Sequence, residues 1–570
     1  MCRKRTLLVL ITVFICAHLN GCGVSGKSHL IDSPPAAPEA KAANPFYHYS
    51  LGVLLRLDGN MEEATEEMRK AVAADPASAY LTNELISFYV QQGDVQSATS
   101  LGEERLAKNP ENIELRLIMG GLYLTIQEYD KSVEQNKKVI ELEPKNLIAH
   151  LYLAITYAEE KKYDKSEEIF KKMLKIDPDN LMGNYYYGKM LMRIERLDEA
   201  EKIFKRLISL NPYFEAALFD LASIYENQDK LHQAIEIYRG YLEVNPARIG
   251  LRMKTGELFI RAKQYEEAKK EFQEALKFDP DNRDIRVALG LLYYDMQRLD
   301  LAIAEFSAIL KINAMDYRVR YLLANTYEEQ GENQLALDEY NYISIESDLY
   351  ASARIRAGII LKKQEKIKDA IDLIKAAIAK KSDQAPLYLF LSSLYEDDKD
   401  ISAAEDILRE GIHNIPGTLE LHYSLGVIYE KTDRFSESIR EMKKVLELDP
   451  DNAETMNFIG YSYAERGINL DEAEKMILRA LAIKPKNGYF IDSLGWVYFK
   501  KNKFDRALKY LKEALELLPD EVDVIEHLGD VYVKLNRTKD ARAMYERALK
   551  IDSQNSSLQR KLEELIKKQK

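Results

Sequence analysis

Residues Tyr489 to Asp520 read YFIDSLGWVYFKKNKFDRALKYLKEALELLPD. Apolar residues recur there at helical spacing on either side of Lys501-Asn502-Lys503, and Pro519 stops the run. That pattern is two amphipathic helices joined by a tight turn. The same pattern fits the chain upstream. Prolines recur at Pro485, Pro450 and Pro416, and at Pro280, Pro246, Pro212, Pro178, Pro144, Pro110 and Pro76. The last seven keep a spacing of 34 residues, and Ala314, Asp348 and Ser382 hold the frame where proline is missing. One extra residue precedes Pro485 and is placed in Gly467-Ile468-Asn469-Leu470. A period of this length predicts stacked helix–turn–helix units.

Three columns support the frame. Ten residues after most frame positions stands a glycine, among them Gly52, Gly188, Gly256, Gly290, Gly426 and Gly529, and only Ile86 makes that column large. The column that opens the second helix, from Ala64 to Ala541, is Ala or Ser throughout. Between them runs an aromatic column including Tyr89, Tyr123, Tyr225, Phe259, Tyr429 and Tyr532, whose rings are expected to wedge between helices. Asn112, Asn146, Asn180, Asn282, Asn452 and Asn487 stand where they would cap the next first helix. These columns resemble the tetratricopeptide repeat family over about fifteen units. The resemblance implies an all-α, right-handed superhelical solenoid, assigned to residues 43–553, with residues 554–570 expected as a C-terminal capping helix.

Ahead of the repeats, Arg3-Lys4-Arg5 and the apolar run Leu7 to Ala17 read as a signal peptide over residues 1–21. Leu19-Asn20-Gly21-Cys22 resembles the lipobox of bacterial lipoproteins, which implies lipidation of Cys22. Gly23, in place of Asp, then implies sorting to the outer membrane, facing the periplasm. Processing would leave Cys22 alone of the three cysteines, excluding an intrachain disulfide and a thiolate metal site. Residues 22–42 are rich in Ser, Pro, Ala and Gly and are expected to be a disordered tether with a reach of roughly 25 Å if flexible. Formal net charge is −12 and falls to −15 without Arg3, Lys4 and Arg5, which argues against nucleic acid as a partner.

By the same resemblance, each first helix presents its second, fifth, ninth, twelfth and thirteenth positions to a concave groove. The groove residues so implied are Tyr49, Tyr185, Phe219, Met253, Tyr321, Tyr423 and Trp496, with an acidic line at Glu226, Glu328, Glu396 and Glu430. Aromatic anchors beside carboxylates suit an extended protein segment with basic or neutral flanks. Chaperone-binding relatives hold a C-terminal carboxylate with Lys at the fifth position and Asn at the ninth. This chain has no Lys in its fifth column, so binding of such a tail is not expected.

The missing prolines between Asn313 and Ser382 are compatible with softer joints. No catalytic residue, metal site or cofactor is expected. The eight histidines form no HExxH, and no G-x-S-x-G, phosphate-binding or dinucleotide-binding glycine loop occurs. The run Tyr461 to Tyr532 resembles the closing units of bacterial envelope tetratricopeptide lipoproteins. That implies a non-enzymatic scaffold supporting a secretion, pilus, outer-membrane or exopolysaccharide export machine. The alternative is a periplasmic holdase or carrier for exported chains, with protein or peptide partners in the groove and no small-molecule substrate.

Overall fold

The computed structural model describes residues 44–567. Among them are 31 helices, of which thirty pair into fifteen hairpins in tandem. The chain forms an all-α solenoid of helix–turn–helix repeats. It divides into two compact units, residues 1–278 and 279–570. The described part of the first holds seven hairpins, from Pro45–Leu57 to Tyr265–Phe278. The second holds eight, from Arg283–Asp295 to Thr538–Ile551, and then the single helix Ser556–Lys567.

Each boundary has a local cause. All six asparagines of the cap column accept from a backbone N–H of the first turn, as Asn112 does from Leu115 and Asn487 from Phe490. The turn between the two helices of every repeat places at least one residue in the left-handed region. It is glycine at Gly59, Gly93, Gly331 and Gly467, and in the other repeats a larger residue with φ between 54° and 67°, such as Lys161 and Lys263. The extra residue of the 34-residue frame sits where the sequence places it. Gly467 and Asn469 are both left-handed, and the next helix begins at Leu470.

The glycine column is a close approach. A Cβ on Gly256 would stand 2.4 Å from Phe272, one on Gly290 2.5 Å from Phe306, and one on Gly529 2.5 Å from Tyr545. Ile86 breaks the column because its repeat reverses the sizes. The position that carries Phe272 or Phe306 elsewhere is Gly102 in that repeat, and Ile86 is fully buried. The unit around Ile86 is thus closely packed like its neighbours. The aromatic column is buried as well, with Tyr123, Tyr225, Phe259 and Tyr463 each 3% exposed.

A further device recurs in several hairpins and joins them to the turn before. In these the fourth residue of the first helix reaches the second helix and, when it is arginine, also a carbonyl six residues upstream. Arg252 bonds Glu271 at 2.8 Å and the Pro246 carbonyl at 2.7 Å, and Arg286 bonds Glu305 at 2.7 Å and the Pro280 carbonyl at 3.0 Å. His48–Glu67 and His422–Glu441 repeat the pair at 2.6 and 2.7 Å. Where the frame proline is absent the same device remains. Arg320 bonds the Ala314 carbonyl at 2.7 Å, and the Tyr388 hydroxyl donates to the Ser382 carbonyl at 3.0 Å. Of the three joints expected to be soft, only one departs from the pattern. The second helix Asn333–Tyr342 has 10 residues against 14 in the preceding Leu299–Ile312. Buried Arg354 meets the carbonyls of Tyr340, Asn341 and Ile343 at 2.7, 3.0 and 3.2 Å.

At the C-terminal end Leu558 and Leu565 of Ser556–Lys567 are buried in the core of the last repeats, with Leu562 packed beside them. No described helix is long and apolar enough to cross a membrane. The signal peptide, Cys22 and the tether fall outside the described residues.

Candidate binding groove

Within each unit, several first helices of neighbouring repeats touch one another directly, as Leu147–Glu159 touches Ile113–Thr125 and Gly488–Lys500 touches Ala453–Arg466. The first-helix face is therefore the tight face of the stack, and it carries the fifth-position column. In the first unit Tyr49, Tyr185, Phe219 and Met253 are all half-buried on that face. The Tyr49 and Tyr80 hydroxyls bond at 2.7 Å. Tyr185 packs edge-on against Tyr186 and Phe214, both at 5.3 Å between centroids. Burial, followed by the neighbouring Asp220 carboxylate, pushes the Tyr185 phenol well above its ordinary range. Phe219 lies against Tyr241 at 5.4 Å. In the second unit Tyr321 and Tyr423 are half-buried, against Tyr340 at 5.5 Å and Phe458 at 6.1 Å.

Two expectations need correction. The acidic line exists but is not a row of free carboxylates. Lys254 bonds Glu226 at 3.0 Å, Arg356 bonds Glu328 at 2.8 Å, Lys431 bonds Glu396 at 2.5 Å, and Arg466 bonds Glu430 at 2.6 Å. Each cation comes from the following repeat, so the line is an internal ladder between neighbours. The Tyr238 and Tyr340 hydroxyls also donate to Glu226 and Glu328, at 2.7 and 3.1 Å. Each glutamate is thus ion-paired before any ligand arrives, although Glu430 keeps its Oε2 buried and without a hydrogen-bond partner.

Trp496 is the second correction. It is 6% exposed. Its ring stacks on His527 at 4.0 Å and on Phe499 at 4.6 Å, and its indole N–H donates to Glu465. Both faces are covered by the chain itself, so it is a buttress of the groove wall and not an open anchor.

Sequence reasoning missed what lies in front of that buttress. A cleft of about 300 Å³ opens between the first helices of three successive repeats, Leu419–Lys431 aside, at Ala453–Arg466, Gly488–Lys500 and Val522–Lys534. Tyr423, Phe458, Tyr461 and Tyr489 supply its rings, and Glu454, Asp492, Glu521 and Asp523 its carboxylates. His527 Nδ1 lies 3.0 Å from both Asp492 oxygens. Burial opposes the charged ring, but Asp492, with Asp530 and Glu465 beyond it, outweighs that and holds the imidazole above its ordinary pKa. The clue in the sequence was Asp492 in a fifth-position column that is otherwise mostly apolar. Among the described residues, no group of three or more His, Cys, Asp and Glu could hold a metal ion.

Family models agree with this architecture. Tetratricopeptide repeat families match residues 47–78 and 215–248, 119–180, 259–326 and 498–565, and 419–452, together more than half of the chain. The TPR repeat-containing protein PA4667 of Pseudomonas aeruginosa is 26% identical over 159 residues, which cover 28% of this chain and 27% of that protein's length. Among solved structures, a tetratricopeptide repeat protein from Parabacteroides merdae is 15% identical with a TM-score of 0.36, covering 44% of this chain and 98% of its own. The APC/C hetero-tetramer Cut9-Hcn1 is 14% identical with a TM-score of 0.35, over 80% of this chain and 96% of its own. The chain belongs to the tetratricopeptide repeat family.

Proposed function

We propose that this chain is a non-enzymatic scaffold that holds extended segments of partner proteins on its first-helix face. The observation that carries the reading is the half-buried aromatic column Tyr49, Tyr185, Phe219, Tyr321 and Tyr423, which keeps ring surface open in both units. Rings of this kind supply rigid apolar contact at small entropic cost, while the paired glutamates around them fix the groove wall. The finer reading places the scaffold in a bacterial envelope, anchored through lipid on Cys22 and serving the assembly of an export, pilus or outer-membrane machine. It is supported by Leu19-Asn20-Gly21-Cys22 and by the resemblance of Tyr461 to Tyr532 to envelope lipoproteins.

The test is photo-crosslinking in the native cell from Tyr185 and Tyr321, each replaced by a photoreactive residue. Lys172, an exposed second-helix residue, is the control. One dominant partner captured from the tyrosines and not from Lys172 supports the scaffold. A broad ladder of exported proteins would replace it with a carrier, and no adduct would remove the groove as the working surface. For the anchor, a Cys22→Ser chain should lose the mass of the lipid and leave the membrane fraction. An unchanged location would overturn that part.

A further inference from the structure

The cleft in the last repeats differs from the rest of the groove in its balance of charge. Elsewhere the groove carboxylates are met by cations of the next repeat. In the cleft they are met only in part. Glu454 pairs with Lys484, which lies outside the lining, and Asp492 holds His527. Glu521 accepts only from the Tyr489 hydroxyl, at 3.2 Å. Asp523 is exposed, and its carboxylate has neither an ion pair nor a hydrogen bond. No Lys or Arg lines the cleft, and its one basic ring, His527, is committed to Asp492.

A second observation is independent of charge. Asn457 also lines the cleft, and its Oδ1 is sealed from solvent with no hydrogen-bond partner. That buried oxygen adds a fixed negative dipole end behind the cleft wall and brings no donor to it. The lining rings add faces that attract cations. Tyr461 stands among Glu465, Asp492, Asp523 and Glu526, and after burial these carboxylates raise its phenol. The cleft thus offers acceptors, negative charge and aromatic faces, and almost no free donors.

We infer that this cleft receives a cationic side chain, arginine or lysine, from an extended partner segment, with Asp523 and Glu521 as its counter-ions and Tyr489 and Tyr461 against its stem. A guanidinium suits the set best, since its planar fork can meet a carboxylate while its face lies on a ring. The inference rests on the groove reading above and adds the chemistry of one subsite.

The experiment uses the full chain and four pools of nine-residue peptides, acetylated and amidated, random except at the centre. The central residue is Arg, Lys, citrulline or Glu in the four pools. Binding is read as retention on the immobilised chain, and as a change in the emission of Trp496, the only tryptophan, which stacks directly on the cleft residue His527. The Arg and Lys pools should be retained about tenfold more strongly than citrulline, with Glu weakest, and the preference should shrink as salt rises. An isosteric Asp523→Asn/Glu521→Gln chain should lose most of that preference while keeping its thermal melt. Equal retention of all four pools, or a preference that survives the double substitution, overturns the cationic subsite and leaves the groove reading standing. No retention of any pool also overturns the subsite. If adducts from Tyr185 and Tyr321 are absent too, the groove reading falls with it.

Discussion

Gly256 and Lys263 stand seven residues apart in one repeat and make opposite demands on a side chain. At Gly256 an added methyl would meet Phe272 ring carbons at 2.4 and 2.7 Å, so Gly256→Ala forces a buried ring to move. Overpacking of this kind costs about 1–3 kcal/mol. Lys263 holds φ 58°, where a side chain is disfavoured, and Lys263→Gly should stabilise the same repeat by roughly 0.5–1 kcal/mol. Amide hydrogen exchange across residues 249–278 reads both, with protection falling in the first variant and rising in the second. The same sign in both would contradict the steric account. The glycine column was legible because its period is strict. The reversal at Ile86 was not, because its explanation lies sixteen residues on, at Gly102, in a column whose sizes vary freely from repeat to repeat. The asparagine caps were fully legible, since a cap acts within three residues of itself.

Between elements the sequence was a poorer guide, and for one reason. The partners of Glu226, Glu328, Glu396 and Glu430 lie 28 to 36 residues away, so an acidic column read down one helix position looks unpaired. The same distance hides the stack of Trp496 on His527 and the ion pair of His527 with Asp492, 35 residues apart. That pair has a testable pH dependence. The folded state raises the imidazole above its ordinary value, so the stability it contributes is complete below about pH 6.5 and is lost as pH rises through the raised pKa. The closing repeats should therefore lose protection as pH rises above about 6.5. Trp496 emission should titrate in step, with a midpoint above 6.5, because the charged ring lies 4.0 Å from the indole. A His527→Gln chain should show neither change, and a midpoint below 6.5 would mean that burial, not Asp492, dominates.

Across the whole molecule, the 34-residue period fixes the number of repeats, but it does not say which joints are soft. Three joints lack the frame proline, yet two are closed by a side chain at the fourth position, Arg320 or Tyr388. Proline stops a helix by removing a donor, and an arginine that takes up the freed carbonyl reaches the same end by a different chemistry. The third joint rests mainly on Arg354, with Lys381 donating to the Ile345 carbonyl at 3.1 Å. With the second helix ended at Tyr342, residues 343–349 make no helix, and the carbonyls of Tyr340, Asn341 and Ile343 all turn to that one guanidinium. Arg354 is 9% exposed, so Arg354→Met would strand the Asn341 and Ile343 carbonyls out of water and leave the Tyr340 carbonyl only its bond from the Ile343 N–H, with the aliphatic volume filled. The loss should be about 2–4 kcal/mol of local protection in residues 333–358, seen as faster amide exchange and as a new proteolytic site near Ile343. In an array whose repeats touch only their neighbours, that loss should fade within one repeat on either side, leaving residues 419–534 at their original protection. A uniform rise in exchange from Arg283 to Lys567 would mean that the second unit unfolds as one cooperative body, and that Arg354 secures all of it and not a single joint.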